Sequence, residues 1–241
     1  MAVLTQRYKA QLEHRPDGDT PLPLDQAIQA VKRMATAKSD KKYKQARPRK
    51  AWDQTVEIAM WLGIDPKQAD QMIRGSVSLP KGIGATKKVI AFAQDQAAED
   101  ATAAGAAEVG GDELIKKIQD GWMDFDVAIA HPSMMGKVGK LGRILGPQGK
   151  MPSPKSGTVT PDVGTAVAEY AAGKIEYRND DGGNIHAAVG KVSFSDEDLQ
   201  ENIEAFITHI RRLKPSSSKG TYLKRVCIKA TSTPSVTVEV G

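Results

Sequence analysis

Cysteine is nearly missing from this chain, with one, Cys227, among 241 residues. That excludes an internal disulfide framework and fits a reducing compartment. Aromatic residues make up only 5%, which argues against a surface built mainly from base-stacking rings. No apolar run approaches the ~20 residues needed to cross a bilayer. The first residues, MAVLTQRYKA, have no apolar core, so no signal peptide is expected. His14, His131, His186 and His209 are scattered, and none pairs at metal-ligand spacing. At Gly149-Lys150 a phosphate-binding GxxxxGK[ST] loop fails, because Ile144 stands at the first glycine and Met151 follows the lysine. After the apolar run ending at Ala93 comes Gln94-Asp95-Gln96, which is no dinucleotide fingerprint. No GxSxG elbow occurs, and Cys227 falls in an expected strand, as an inert core thiol. No catalytic residue, no metal and no cofactor is expected.

What is present is cationic. The formal net charge is +5 and the pI about 9.1, which favours an acidic partner, nucleic acid ahead of an anionic membrane. The densest signal is LGRILGPQGKMPSPKSGTVTP at 141–161. It holds four glycines, four prolines and three cations, Arg143, Lys150 and Lys155, with no acid. Glycine and proline at this density exclude a long helix or a central strand. Ile144, Leu145 and Met151 supply apolar anchors. The segment reads as an ordered cationic loop that either presents charge to a polyanion or locks its domain together.

Periodicity orders the rest. Leu24, Ala27, Ile28, Val31, Met34 and Ala35 repeat at helical spacing behind Pro21 and Pro23. Lys38 to Lys50 carries seven cations against one acid, Asp40. From Thr55 the period becomes two: Val56, Ile58, Met60 and Leu62 alternate with Thr55, Glu57, Ala59 and Trp61, a half-buried strand. Buried strands are expected at 88–93 and 125–130, with helices near 95–104 and 114–118 between them, a βαβ pattern with a parallel sheet. Residues 175–178 and 184–189 flank the turn Asn179-Asp180-Asp181-Gly182-Gly183 and predict a hairpin. Ser195 caps a helix striped by Leu199, Ile203, Phe206, Ile207, Ile210 and Leu213. Two strands follow, near 222–230 and 235–240. The expectation is a mixed α/β and α+β chain of two domains. The second, a three-layer α/β domain with a parallel sheet, is inserted into a discontinuous α+β first domain.

Four stretches carry a resemblance: LGIDPKQADQMIRGSVSLPKGIG at 62–84, LGRILGPQGKMPSPKSGTVTPDV at 141–163, GKIEYRNDDGGNIHAAVGKVSF at 173–194 and KGTYLKRVCIKAT at 219–231. In this order they resemble the signatures of the bacterial large-subunit ribosomal protein L-one family. The resemblance implies domain I at 1–82 and 174–241, and domain II at 83–173. It implies a cytoplasmic protein of the large ribosomal subunit, monomeric when free, with no membrane partner. It further implies three partners: large-subunit rRNA at the mobile side stalk, exit-site tRNA, and the mRNA leader of its own operon, whose translation it represses.

By the same resemblance the RNA surface carries over to Trp52, Thr55, Glu57, Thr231, Ser232 and Thr233, with Arg178 and Asp180 supporting it and Lys219 at the head of the last motif. Each residue keeps a plainer reading. Trp52 stands where the family has Phe, and either stacks on RNA or covers a sheet edge. Glu57 accepts from ribose hydroxyls or from Thr231, or serves only the sheet. Asp180 is also a hairpin-turn residue. The chain departs from the family at Ser232-Thr233, where Met-Gly is usual, and Gly admits a closer backbone approach. It also departs in the insert SDKKYKQARPRK, whose Lys41, Lys42, Lys44, Arg47, Arg49 and Lys50 form either an electrostatic anchor or a solvated loop. Arg143, Lys150 and Lys155 form either a secondary contact, to RNA or to exit-site tRNA, or part of a structural loop that locks domain II together. Two other readings remain: a free-standing mRNA regulator, and an enzyme with a nucleotide-binding middle domain.

Overall fold

The computed structural model describes residues 5–16, 20–37 and 52–239. The elements run α1 (Gln6–Leu12), α2 (Leu24–Thr36), β1 (Thr55–Leu62), β2 (Arg74–Val77), β3 (Val89–Phe92), α3 (Gln96–Ala103), β4 (Glu108–Gly110), α4 (Asp112–Gln119) and β5 (Val127–Ala130). They continue as α5 (Met135–Val138), α6 (Gly142–Leu145), α7 (Val163–Ala171), β6 (Ile175–Arg178), β7 (Asn184–Lys191), α8 (Asp196–Arg212), β8 (Leu223–Ala230) and β9 (Val236–Val238). They gather into two compact units, Met1–Ile73 with Leu79–Gly84 and Arg178–Gly241, and Arg74–Ser78 with Ala85–Tyr177. Among the described residues no helix is long and apolar enough to cross a membrane.

The first unit is built on a four-stranded sheet in the order β7-β1-β8-β9, with each pairing antiparallel. Val56, Ile58, Met60 and Leu62 of β1 are buried, and the residues between them are not. The pleat puts the buried set on one face. α2 packs on β8 and β9, α8 packs on β7, and the two helices touch. Their buried stripes, Ala27, Ile28, Val31 and Met34 on α2 and Leu199, Ile203, Phe206 and Ile210 on α8, fill the core. Ser195 begins α8, its Oγ accepting from the Asp198 N–H at 3.0 Å. Asn202 is a fully buried polar side chain of α8. It donates to the Gly82 and Val189 carbonyls and accepts from the Lys81 N–H, so its amide is paired rather than stranded.

In the second unit β3, β4 and β5 form a parallel sheet in the order β4-β3-β5. Alternate residues of β3 enter different cores. Ile90 and Phe92 join Leu114, Ile115, Ile118, Met134, Val138, Leu141 and Leu145. Val89 and Ala91 join Ala101, Val163, Ala166, Val167 and Tyr170. Helices therefore cover both faces, which is why the strand reads as an unbroken apolar run.

The Gly/Pro loop has its anchors in place. Leu145 is buried, and Ile144 and Met151 pack on the same core. Its helical content is short: the end of a 3₁₀ turn, Gly139–Leu141, the four-residue α6 and a second 3₁₀ turn, Pro154–Ser156. Ser153 N–H donates to Thr158 Oγ1 at 2.8 Å, and Tyr170 OH donates to the Ser156 carbonyl at 2.6 Å. Gly157 closes the turn at φ +71°, a conformation that suits a residue without Cβ.

Two expectations are corrected. The turn at 179–183 forms, with Asp180 N–H donating to the Asn184 carbonyl at 2.8 Å, but β6 and β7 do not make a hairpin sheet. β6 pairs with β2 in a separate two-stranded sheet and β7 pairs with β1, leaving the isolated bridge Asn179↔Ile185. The edges of β2 and β1 take the hydrogen bonds that local pairing would have used. Cys227 is half-buried rather than a core thiol, because it lies on the uncovered face of β8, with Sγ 3.7 Å from Thr237 Oγ1.

Candidate nucleic-acid interface

The face of the first unit's sheet on which no described helix packs carries the residues between the buried ones. Across the strands they line up in rows: Lys191 and Thr55; then Ala188, Glu57 and Lys229; then His186, Ala59, Cys227 and Thr237; then Asn184, Trp61 and Arg225. A bulge between Val56 and Glu57 brings Lys191 opposite Thr55. Thr55 and Glu57 thus share a face, as their spacing predicts.

At the Thr55 end the side chains are tied to one another. Thr231 extends β8 by one pairing, its N–H donating to the Thr55 carbonyl at 3.0 Å. Thr231 Oγ1 lies 3.2 Å from the Thr55 nitrogen, which donates to it, and 3.3 Å from the Thr55 carbonyl. Lys191 Nζ donates to Thr55 Oγ1 at 2.8 Å. Glu57 meets Lys229 in a cross-strand ion pair at 3.3 Å, so its partner is this lysine and not Thr231. Two half-exposed charges in register are worth at most about 1 kcal/mol to the fold.

Ser232 and Thr233 follow in a tight turn. Thr233 Oγ1 accepts from the Ala230 N–H at 2.9 Å. Ser232 is held from three sides: its Oγ donates to Gln54 Oε1 at 2.9 Å, it accepts from Arg7 Nη2 at 2.6 Å, and its carbonyl accepts from Gln11 Nε2 at 3.0 Å. In place of Met-Gly this chain therefore has two hydroxyl residues tied into the turn itself. Trp52, two residues before Gln54, is 57% exposed. The adjacent Asp53 is pinned beyond the end of β7 by Ser193, whose N–H and hydroxyl donate to its carboxylate at 3.1 and 2.6 Å.

Asp180 organises the 179–184 turn. Its Oδ1 accepts from the Gly182 N–H at 2.9 Å and the Asn184 N–H at 2.7 Å. The Asn184 backbone N–H, then its side-chain amide, hold the carboxyl below its ordinary range. Asp180 therefore shapes the turn beside exposed Arg178. Lys219 is also exposed, in the segment before β8. In the second unit Arg143 and Lys155 face solvent. Lys150 turns inward: its Nζ donates to the Phe125 carbonyl and, at 3.2 Å, to the Met123 carbonyl, and sits 4.8 Å from the Phe125 ring centroid. It clamps the loop, which corrects its placing among the outward cations. Lys41, Lys42, Lys44, Arg47, Arg49 and Lys50 lie outside the described residues.

Gln54, Lys191, Lys229 and Arg7 are not legible in the sequence as parts of this site. Each lies more than a hundred residues from its partner, as with Lys191 and Thr55, 136 apart. Only the fold joins them. Among the described residues no group of three or more His, Cys, Asp or Glu side chains could hold a metal ion.

The family described as ribosomal protein L1p/L10e matches residues 31–234. By this match the chain is of the ribosomal protein class, a structural class and not an enzyme. The chain belongs to the ribosomal protein L1p/L10e family. It is similar to the large ribosomal subunit protein uL1 of Rhodopirellula baltica, 55% identical over 99% of each chain. It is also similar to the proteins of that name from Clavibacter michiganensis, 56% identical over 79% of this chain and 83% of the relative, and from Nocardioides, 52% identical over 79% and 80%.

Proposed function

We propose that the protein is a component of the large ribosomal subunit that binds large-subunit rRNA at the mobile side stalk. The observation that carries this reading is the convergence at one end of the open sheet: Thr55, Thr231, Lys191, Glu57 and Lys229 sit in register on one face. Hydroxyls and cations in a fixed array suit ribose 2′-hydroxyls and phosphates. Trp52, Ser232 and Thr233 border that array, and Arg178, Asp180 and Lys219 fall towards the opposite, Trp61 end of the same sheet. Arg143 and Lys155 offer a second, weaker contact. The same surface would serve the mRNA leader of the protein's own operon and make it a translational repressor, and the protein would assist release of exit-site tRNA. The free protein is monomeric in this reading and works in the cytoplasm.

The reading assigns RNA affinity to domain I, at 1–82 and 174–241, with domain II at 83–173 inserted. The two compact units support that division, changing at Gly84/Ala85 and Tyr177/Arg178 and giving Arg74–Ser78 to the second. The test joins 1–82 to 174–241 through a short Gly/Ser linker and measures binding to stalk rRNA. Affinity within about tenfold of the whole chain, some 1.4 kcal/mol, is expected. A folded domain I without specific stalk binding overturns the assignment.

A further inference from the structure

We infer that Trp61 is a second RNA-contact point, a stacking site for an unpaired base at the far end of the open sheet face. The inference rests on the rRNA-binding reading above and extends it along the sheet. Trp61 lies on the same face of β1 as Thr55, Glu57 and Ala59. Six residues of strand put it about 20 Å from Thr55. It is one of the few large apolar side chains in the open among the described residues, 46% exposed.

Three observations give this end of the face a ligand chemistry. The Lys224 ammonium sits 4.6 Å from the Trp61 ring centroid, so the indole is already an acceptor of positive charge and the cation stands where a phosphate beside a stacked base would meet it. The neighbours in register are Asn184 and Arg225, with exposed His186 one row in. Asn184 Nδ2 is held on Asp180 at 3.0 Å and Arg225 Nη2 on Thr237 Oγ1 at 3.1 Å, which fixes a donor and a cation beside the ring; Asp180, 3.7 Å from His186, is committed to its turn. Between the two ends the floor is low: Ala188, Ala59 and Cys227 are small and half-buried. The face is therefore a shallow trough, with hydroxyls and lysines at one end and an aromatic ring with cations at the other. A single strand of RNA fits that pattern, because phosphates take the cations and a base takes the ring. An apolar protein partner does not, because the apolar floor is small and charged groups border it.

The experiment uses the full chain and the stalk rRNA fragment of its own organism. Protein labelled with 5-fluorotryptophan gives one fluorine resonance for each of the three tryptophans, and the Trp61 signal is assigned by its loss in Trp61→Tyr. That signal is expected to shift on saturation with the RNA. Trp61→Leu should weaken binding about five- to a hundred-fold, the range seen for losing one base stack, and Trp61→Tyr should restore most of it. The slope of log affinity against log salt should stay unchanged in Trp61→Leu and fall by about 0.7–0.9 in Lys224→Gln. An unmoved Trp61 resonance with wild-type affinity in Trp61→Leu overturns the inference, and Trp61 is then a cover for the sheet. If Thr231→Val still weakens binding in that case, the rRNA reading survives; if the intact protein ignores stalk rRNA altogether, that reading fails first.

Discussion

The four-stranded sheet of the first unit is covered by helices on one face, whereas the three-stranded sheet of the second is covered on both. The difference is written in single strands. β1 alternates buried Val56, Ile58, Met60 and Leu62 with Thr55, Glu57, Ala59 and Trp61. β3, Val-Ile-Ala-Phe, is buried at every position. A sheet closed on both sides contributes stability, and its chemistry must come from its loops. A sheet closed on one side keeps a rigid array of side chains in water, spaced by the pleat at no cost to the core. Thr55, Thr231, Lys191 and Lys229 stand on a surface of that second kind.

The largest effect expected from that contrast comes from opening a hole in the closed sheet. Phe92 is fully buried between β3 and the helices of its core. Phe92→Ala should destabilise the second unit by about 3–5 kcal/mol, read by hydrogen exchange at Ile90, Ile118 and Ala128. Affinity for stalk rRNA should move by less than about twofold, roughly 0.4 kcal/mol. Equal loss of affinity would show that the open face does not act independently of the closed sheet.

A smaller effect is expected on the open face itself. Thr231→Val keeps the shape and removes a hydroxyl that bonds Thr55 and remains exposed. Stalk rRNA affinity should fall by about 1–3 kcal/mol, the cost of an unpaired polar partner. The melting temperature should move by no more than about 4 °C. Wild-type affinity would reduce Thr231 to a residue of the sheet.

The same contrast explains what can be read from the chain. Alternation in β1 and the helical stripes of α2 and α8 are legible because each has one wet face. The apolar run of β3 is legible because it is buried throughout. β2 is not, since Arg-Gly-Ser-Val has no pattern and forms only against β6, about a hundred residues away in the chain. α7 is also hidden: its glycine and small residues carry a weak stripe, although Asp162 accepts from the Thr165 N–H at 3.1 Å as a cap. At the site, Thr55, Glu57 and Thr231 are legible as face and motif. Lys191, Lys229, Gln54 and Arg7 depend on long-range contacts and are not.

The smallest expected effects are opposite pH dependences in the two units. Asp180 sits in the open turn, and the Asn184 N–H groups hold its carboxyl below the ordinary 3.8. Its folded form keeps its charge longer than the unfolded chain does. That contribution is present above about pH 4 and is lost as the pH falls through the depressed value. The side chain is 45% exposed, so the amount is small. Glu176 is half-buried in the second unit, where burial pushes its carboxyl above the ordinary 4.5, against the pull of Arg74 and Lys87. Tyr170 OH reaches its Oε1 at 3.4 Å. The sign reverses: between 4.5 and its raised value the folded chain holds the proton that the unfolded chain has lost. Glu176 then supports the fold in acid and ceases to do so as the pH rises through that value. Asp180→Asn should flatten the acid limb of stability in the first unit only. Glu176→Gln should flatten the fall above about pH 4.5 in the second only, and leave its neutral-pH stability equal or higher. Hydrogen exchange followed at β7 and at α7 across roughly pH 3–7 separates the two. Loss of stability at neutral pH in Glu176→Gln would mean that Arg74 and Lys87 outweigh burial, and that the closed unit holds a true ion-pair network.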